Sequence, residues 1–248
     1  MKKIVLLFLL ILAFACEKPS DCITTSGAKI TKEFAVEPFE IVNVNSGIEL
    51  IITQGENYKL LVETGENLLA DIEIKQTGNS ITLKDNTTCN WVRAYGQTKV
   101  FITAPNLTDI RSKTERPISS NGILTFPILR LYAFDEDADG QNGAGTNDFF
   151  IEVNNSQVVV ETNNIARFYI SGQTNEAVFS FYEGDSRLEA PNLIAQNIKV
   201  YHRGTNDMIV FPVQSITGKM VSTGNIILKN NPPIVDVEEL YQGRVIYN

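Results

Sequence analysis

Histidine is nearly absent from this 248-residue chain: His202 stands alone, beside one Trp, three Met and three Cys. A single imidazole excludes His-rich zinc sites and leaves arithmetic room for one Ser–His–Asp triad at most. No G-x-S-x-G, H-E-x-x-H or P-loop signature is present. No apolar run reaches the about 20 residues that a membrane-spanning helix needs. Basic residues are also short, 21 Lys and Arg against 29 Asp and Glu, for a net charge of −8. That balance argues against nucleic acid as a partner, because such binding depends on neutralising phosphates. No cofactor is expected.

What is present begins with an export signal. Lys2 and Lys3 precede the apolar run "IVLLFLLILAFA" (residues 4–15), which stops at Cys16. Twelve apolar residues are too few to span a bilayer, so the run reads as a signal peptide over residues 1–15. Ala13 and Ala15 just before Cys16 are similar to a relaxed bacterial lipobox, in which the Cys is acylated and becomes the new N-terminus. Acyl chains contribute about 0.8 kcal/mol per buried CH₂, so lipidated Cys16 would hold the protein on a membrane. Loss of Lys2 and Lys3 takes the formal charge from −8 to −10. Cys22 and Cys89 then remain in an oxidising compartment, where two leftover thiols pair more often than they stay free. A disulfide would close a loop of roughly 65 residues, worth about 4 kcal/mol in chain entropy. Two buried free thiols are the alternative.

Residues 16–33 read as the lipidated Cys and a polar tether. From Phe34 the chain alternates apolar and polar residues in short runs such as "FEIVNV", "IELIIT", "SITLKD", "KVFITA", "RFYIS" and "NIKVYH". Period-two alternation broken by Gly, Asn and Asp every 8–12 residues predicts strands. No amphipathic helix is evident beyond the single turn "ENLLAD" (residues 66–71). The expected fold class is all-β, with residues 34–248 as one domain.

The second half repeats. Asn164, Gly184, Gly204 and Gly224 lie 20 residues apart, and each type tolerates the left-handed backbone of a sharp corner. Phe168, Leu188, Met208 and Leu228 follow them at a fixed distance. Val158, Val178 and Ile198 precede them by six residues, with Gly218 failing the pattern, and Val160, Val200 and Met220 by four, with Ser180 the exception. A fixed period marks a solenoid, here a parallel β-helix of about 20 residues per coil. Residues 34–110 lack the period and read as a head or cap, 111–233 as stacked coils and 234–248 as a C-terminal cap. The same register would stack Phe181 on Tyr201, Tyr182 on His202, and Arg167 on Arg187 with Asp207 next. Ladder packing or a ligand groove would both use such columns.

Several stretches carry a family resemblance: "VNSGIEL", "ITQG", "GENLL", "GNSITLKD", "FITAPNLTDI", "EAPNLIAQNIKV", "RGTNDMIVFPV" and "STGNIILKNNPP". Together they resemble the head GIN domain of autotransporter-adhesin-like lipoproteins of Bacteroidetes, over nearly all of residues 22–233. The resemblance implies a right-handed parallel β-helix with a head region, displayed on a lipid anchor. In one branch of it, "DC" near "TSG" and the later "CNWVRAY" imply pairing of Cys22 with Cys89.

The chain departs from that family at "DEDADGQNGAGTND" (residues 135–148), which holds five carboxylates. Asp135, Asp137, Asp139 and Gly140 match the front half of a calcium loop, but the bidentate twelfth ligand is replaced by Thr146. A solvated turn is the expectation, and a calcium site the alternative. His202, beside a Gly corner, is expected to pack or to reach solvent rather than to catalyse. The functional expectation is an outer-membrane lipoprotein, facing the periplasm or the cell surface, that binds a glycan or protein without catalysis. The rival is a β-helical lyase or glycosidase assembled from residues 135–148 with Arg167 or Arg187.

Overall fold

The computed structural model describes residues 24–87, 96–135 and 145–248. Within them the chain is all-β, with one short 3₁₀ turn at Leu69–Asp71 inside the stretch expected to make a single turn. The early strands are β1 (Lys29–Phe34), β2 (Ile41–Asn45), β3 (Ile48–Gln54), β4 (Lys59–Gly65), β5 (Ile72–Thr77) and β6 (Ser80–Asp85). Next come β7 (Thr98–Ala104), β8 (Asp109–Lys113), β9 (Ile118–Ser120) and β10 (Ile128–Ala133). Four long strands follow: β11 (Asp148–Thr162), β12 (Arg167–Phe181), β13 (Arg187–His202) and β14 (Met208–Met220). The chain closes with β15 (Ile226–Leu228), β16 (Ile234–Glu239) and β17 (Val245–Tyr247). All seventeen join one curled sheet.

Each long strand serves two limbs of that sheet, and in β11 and β12 the side-chain parity changes midway. In β11 the buried residues are Phe149, Ile151 and Val153, then Val158, Val160 and Thr162. A period of two cannot carry an odd set into an even one without a bend, and the change falls at residues 154–156. The half before the bend, limb B, pairs in parallel with β9 and with the first half of β12. The half after it, limb A, pairs with β10 and with the second half of β12. Both limbs turn their apolar sides to one continuous core. Phe149 and Phe168 stack inside it, 4.7 Å apart between ring centroids.

Parallel pairing carries the arrangement through β13 and β14 to β15 and β17 on limb B, and to β16 on limb A. Residues 234–248 thus add two strands to the same ladders. The layer length is not constant. Val158, Ala177, Ile198, Ile216 and Val235 are successive partners, at steps of 19, 21, 18 and 19 residues. The expected columns therefore hold only in part. Phe168, Leu188 and Met208 do align, but Ile226 follows in place of Leu228. Val178 pairs with Val159 and Lys199, and His202 rather than Tyr201 lies against Phe181.

The first half is also built of paired limbs, in an order the chain does not follow. β2 lies between β6 and β8 on limb A, and β3 lies between β7 and β9 on limb B, all in parallel. Antiparallel strands cover this end: β5 on β6, β4 on β7, and β1 on β4. Strand formation begins at Lys29, inside the stretch read as a tether. β1 is an edge strand with an exposed face, held by backbone pairing and by a Lys29–Glu63 ion pair of 2.6 Å, so it needs no apolar alternation.

The corners differ from expectation in mechanism. Of Asn164, Gly184, Gly204 and Gly224, only Gly184 has a positive φ, at +86°. Gly224 is required by closeness of approach instead: a Cβ there would lie 2.2 Å from the Asn206 carbonyl oxygen. Gly218, the exception to the apolar column, has φ +133°, and a Cβ there would strike the Val200 carbonyl at 1.9 Å. Only glycine fits a position with that backbone and that close a neighbour.

His202 lies in the core between Phe181 and Met220, 1% exposed, with its ring edge-on to Phe181 at 5.8 Å. Neither ring nitrogen finds a hydrogen-bond partner, and burial lowers its pKa to about 4, against smaller opposing effects of Asn206 and Asp207. The unfolded chain would take up that proton near the ordinary value of 6.5, so from pH 6.5 to 4 it binds more protons than the folded chain. Stability is therefore lost as pH falls through this window, by about 3 kcal/mol from this group. We predict that urea midpoints of wild type and His202→Leu, compared at pH 7 and pH 4.5, show a smaller acid loss in the variant. Equal losses would place the acid sensitivity elsewhere.

Candidate functional site

The alternation that fills the core also decorates two outer faces. On limb B, Phe150, Tyr169 and Glu189 are register partners in three neighbouring strands and point away from the core. The rings of Phe150 and Tyr169 stack 4.9 Å apart and within 6° of parallel, and Phe150 remains 45% exposed. The next outward positions are Glu152 and Ser171. At this point β13 leaves register: Tyr169 faces Glu189, but Ser171 faces Asn192, so β13 carries an extra residue. Pro191 sits in the irregular stretch and has no N–H to give to a ladder. Leu193 turns inward and is buried, while Asn192 stays exposed. A bulge re-aims side chains and opens the surface beside it. The result is a groove of 420 Å³ lined by Phe150, Tyr169, Glu152, Ser171, Glu189 and Asn192, among others.

On limb A the outward ladder runs Arg111, Tyr132, Glu161, Ser180, Tyr201, Lys219. Phe134 and Tyr182 from the corners join the tyrosines, with ring centroids 5.8 to 6.2 Å apart from Tyr132 through Tyr201. Cations cover both ends: the Arg111 guanidinium is 5.7 Å from the Tyr132 ring, and Lys219 Nζ is 5.5 Å from the Tyr201 ring. Asp109 anchors Arg111 at 3.1 Å and Arg130 at 3.4 Å. The Tyr182 hydroxyl donates to Glu161 at 2.7 Å. Burial first, then the charge of Asp109, raises the Tyr132 pKa; burial first, then the Glu161 hydrogen bond, raises that of Tyr182. Both phenols stay protonated at neutral pH, and that of Tyr182 donates to Glu161. The ridge is a packed, internally bonded surface.

Several expected site residues, Cys16, Cys22, Cys89, Asp137 and Asp139, lie outside the described residues. Asp135 is pinned at the corner: its backbone N–H donates to Asn163 at 3.0 Å, and its carboxylate accepts from Asn164 Nδ2. At the other end of the loop Asn147 is buried and accepts from Ser112 at 2.7 Å. Asp148, Arg167 and Arg187 are brought into one ladder. Arg187, however, is bound to Glu189 at 2.5 Å, Asn206 at 2.8 Å and Asp207 at 3.6 Å, which makes it a structural ion-pair centre. Among the described residues no three His, Cys, Asp or Glu side chains gather as a metal site would require. The sequence reading missed Phe150, Tyr169 and Glu152. Their signal was a 19-residue spacing in the outward phase of the strands, which a strict 20-residue period does not detect.

No curated protein sequence matches the chain. Solved structures do. A protein from Bacteroides fragilis described as a "putative adhesin" superposes with TM-score 0.79 at 20% identity, covering 91% of this chain and 100% of its own. A "putative adhesin" from Parabacteroides merdae gives 0.64 at 16% identity, covering 91% and 98%. A "putative lipid binding protein" from Parabacteroides distasonis gives 0.61 at 12% identity, covering 89% and 97%. At these identities the likeness is one of fold. The sequence profile described as "putative auto-transporter adhesin, head GIN domain" matches residues 38–232. The chain belongs to that head GIN domain family.

Proposed function

We propose that this protein is an exported, lipid-anchored envelope protein that binds a glycan or protein through the outer faces of a right-handed parallel β-helix, without catalysis. The observation that carries this reading is the placement of chemistry. Phe150, Tyr169, Tyr132, Tyr182 and Tyr201, with Arg111, Asp109 and Lys219, stand on the outside of the stacked strands, where they pair with one another in ladders. Binding needs such a surface, whereas acid–base or nucleophilic catalysis needs titratable groups that converge on one reacting atom. The sole imidazole, His202, is buried and held neutral. Membership of a family described as adhesins supports the same assignment.

In this reading residues 1–15 are removed on export, Cys16 carries lipid on the outer membrane, and the residues from there to β1 connect it to the domain. Residues 34–110 form the head, 111–233 the coils and 234–248 the last cap. Cys22 and Cys89 form a disulfide that ties the tether to the head. Residues 135–148, with Asp135, Asp137 and Asp139, form a solvated corner rather than a calcium site: five carboxylates without a bidentate partner at the twelfth position repel one another.

Two experiments test the proposal. Cys16→Ser should abolish fatty-acid labelling and move the protein from the membrane to the soluble fraction, while Cys22 and Cys89 resist alkylation under denaturing, non-reducing conditions. A lipid label retained in Cys16→Ser refutes the anchor, and two alkylated thiols refute the disulfide. The purified exported chain, screened on glycan and protein arrays while polysaccharide digests are assayed for new ends, should bind and release none. Reducing or unsaturated ends that grow in proportion to protein would instead establish the polysaccharide-active enzyme.

A further inference from the structure

We propose that the groove on the outer face of limb B is the site at which this protein holds a neutral pyranose unit of a polysaccharide, an inference that rests on the binding reading above and names its ligand. Four features converge there. The volume of 420 Å³ falls within the about 300–1,000 Å³ typical of small-ligand sites. Phe150 and Tyr169 line it as a stacked pair, with centroids 4.9 Å apart and planes parallel within 6°, so that each ring keeps one face turned away from the other. A pyranose carries its C–H bonds on its two faces and its hydroxyls around its rim. The faces pack on aromatic carbon, and the C–H groups meet the negative face of the ring quadrupole.

The rim chemistry matches as well. Glu152 and Glu189 supply carboxylate acceptors, and Ser171 and Asn192 supply groups that both donate and accept. Glu189 is already oriented, because its Oε1 accepts from Arg187 Nε at 2.5 Å, which leaves Oε2 outside that bond. A charged acceptor takes a stronger hydrogen bond from a hydroxyl than a neutral one does. Glu152 receives its position from the backbone, whose N–H donates to Ser120 Oγ at 2.9 Å. The aromatic pair and both carboxylates sit on strands paired with neighbours, so the site is assembled before a ligand arrives.

The same groups select against other ligands. Two carboxylates on a protein of net charge −8 repel uronic acids, sulfated sugars and phosphates. An extended peptide adds to a sheet through an unpaired strand edge. The groove lies instead across the outer face of β11, β12 and β13, which pair with one another in parallel, although residues 191–193 of β13 have no register partner in β14. The bulge at Pro191 further makes this a local site rather than a property of the whole face, because the widened register occurs between Tyr169 and Ser171.

Affinity electrophoresis of the exported chain through gels containing hydroxyethylcellulose, yeast mannan, dextran or polygalacturonate tests the assignment. At least one of the three neutral polymers should retard the wild type, and polygalacturonate should not. Tyr169→Ala should weaken that retardation at least tenfold with an unchanged melting temperature, and Tyr169→Phe should keep it. Glu152→Gln should weaken it severalfold, while Tyr241→Ala, exposed between β16 and β17 and outside both ladders, leaves it as in wild type. Retardation that survives Tyr169→Ala overturns the groove while leaving the protein a glycan binder. Preference for polygalacturonate, for a Lys-rich peptide on the same groove, or retardation by none of the neutral polymers also overturns it. New polymer ends in the same samples would fail the binding reading itself.

Discussion

Parallel backbone pairing from one layer to the next is the interaction on which everything else in this protein depends. Strands joined in this way lie about 4.8 Å apart, and each residue is set over its partner in the same orientation. Whatever one layer does at a position, its neighbour must accommodate. Inside, Phe149 lies on Phe168 with ring centroids 4.7 Å apart; outside, Phe150 lies on Tyr169 at 4.9 Å. The ladder that builds the core therefore also builds the outer surface. At the corners the same spacing brings backbone against backbone, which is why Gly224 and Gly243 stand where a Cβ would meet a carbonyl oxygen at 2.2 and 2.1 Å.

Departures from that regularity mark where the surface acquires shape. A strand paired perfectly on both sides presents a flat face, and a flat face holds no small ligand. Pro191 cannot donate, β13 gains a residue against β12, and the side chains beside it spread into a groove. Leu193 fills the core beneath the bulge and Leu107, in the other Pro-Asn-Leu sequence, is likewise buried. The polar residues nearest the corners are satisfied inside the fold: Thr162 bonds Ser186 at 3.0 Å, and Ser112 bonds Asn147 at 2.7 Å. His202 occupies an equivalent inward position, where burial disfavours its protonated form.

Alternation of apolar residues made the all-β class legible, and the corner glycines made a repeat near 20 residues legible, because both are local properties of the chain. Arg167 over Arg187 was correctly aligned by that period. The columns of Val178 and Leu228 were not, since a bulge or a shorter turn changes the step to 18, 19 or 21 residues without altering the strand pattern. The insertion of β2 and β3 between later strands was hidden for a different reason: strand neighbours are a long-range choice that alternation does not encode. β1 was hidden because an exposed edge strand needs no apolar face. Phe150 and Tyr169 became visible as a pair only when the true register placed them side by side.

A binding surface made of ladder positions is only as rigid as the stack beneath it. Arrays of similar layers can unfold piecemeal, each layer stabilised mainly by its neighbours. The continuous core shared by both limbs, and the antiparallel strands over one end, favour a single cooperative unit here. Amide hydrogen exchange followed by mass spectrometry measures this directly. Peptides from β11, β12, β13 and β14 should exchange at one common slow rate, with the corners at 163–166, 182–186 and 203–207 exchanging faster. Separate rates for each of the four strands, or exchange in β11 and β12 as fast as in the corners, would contradict the account.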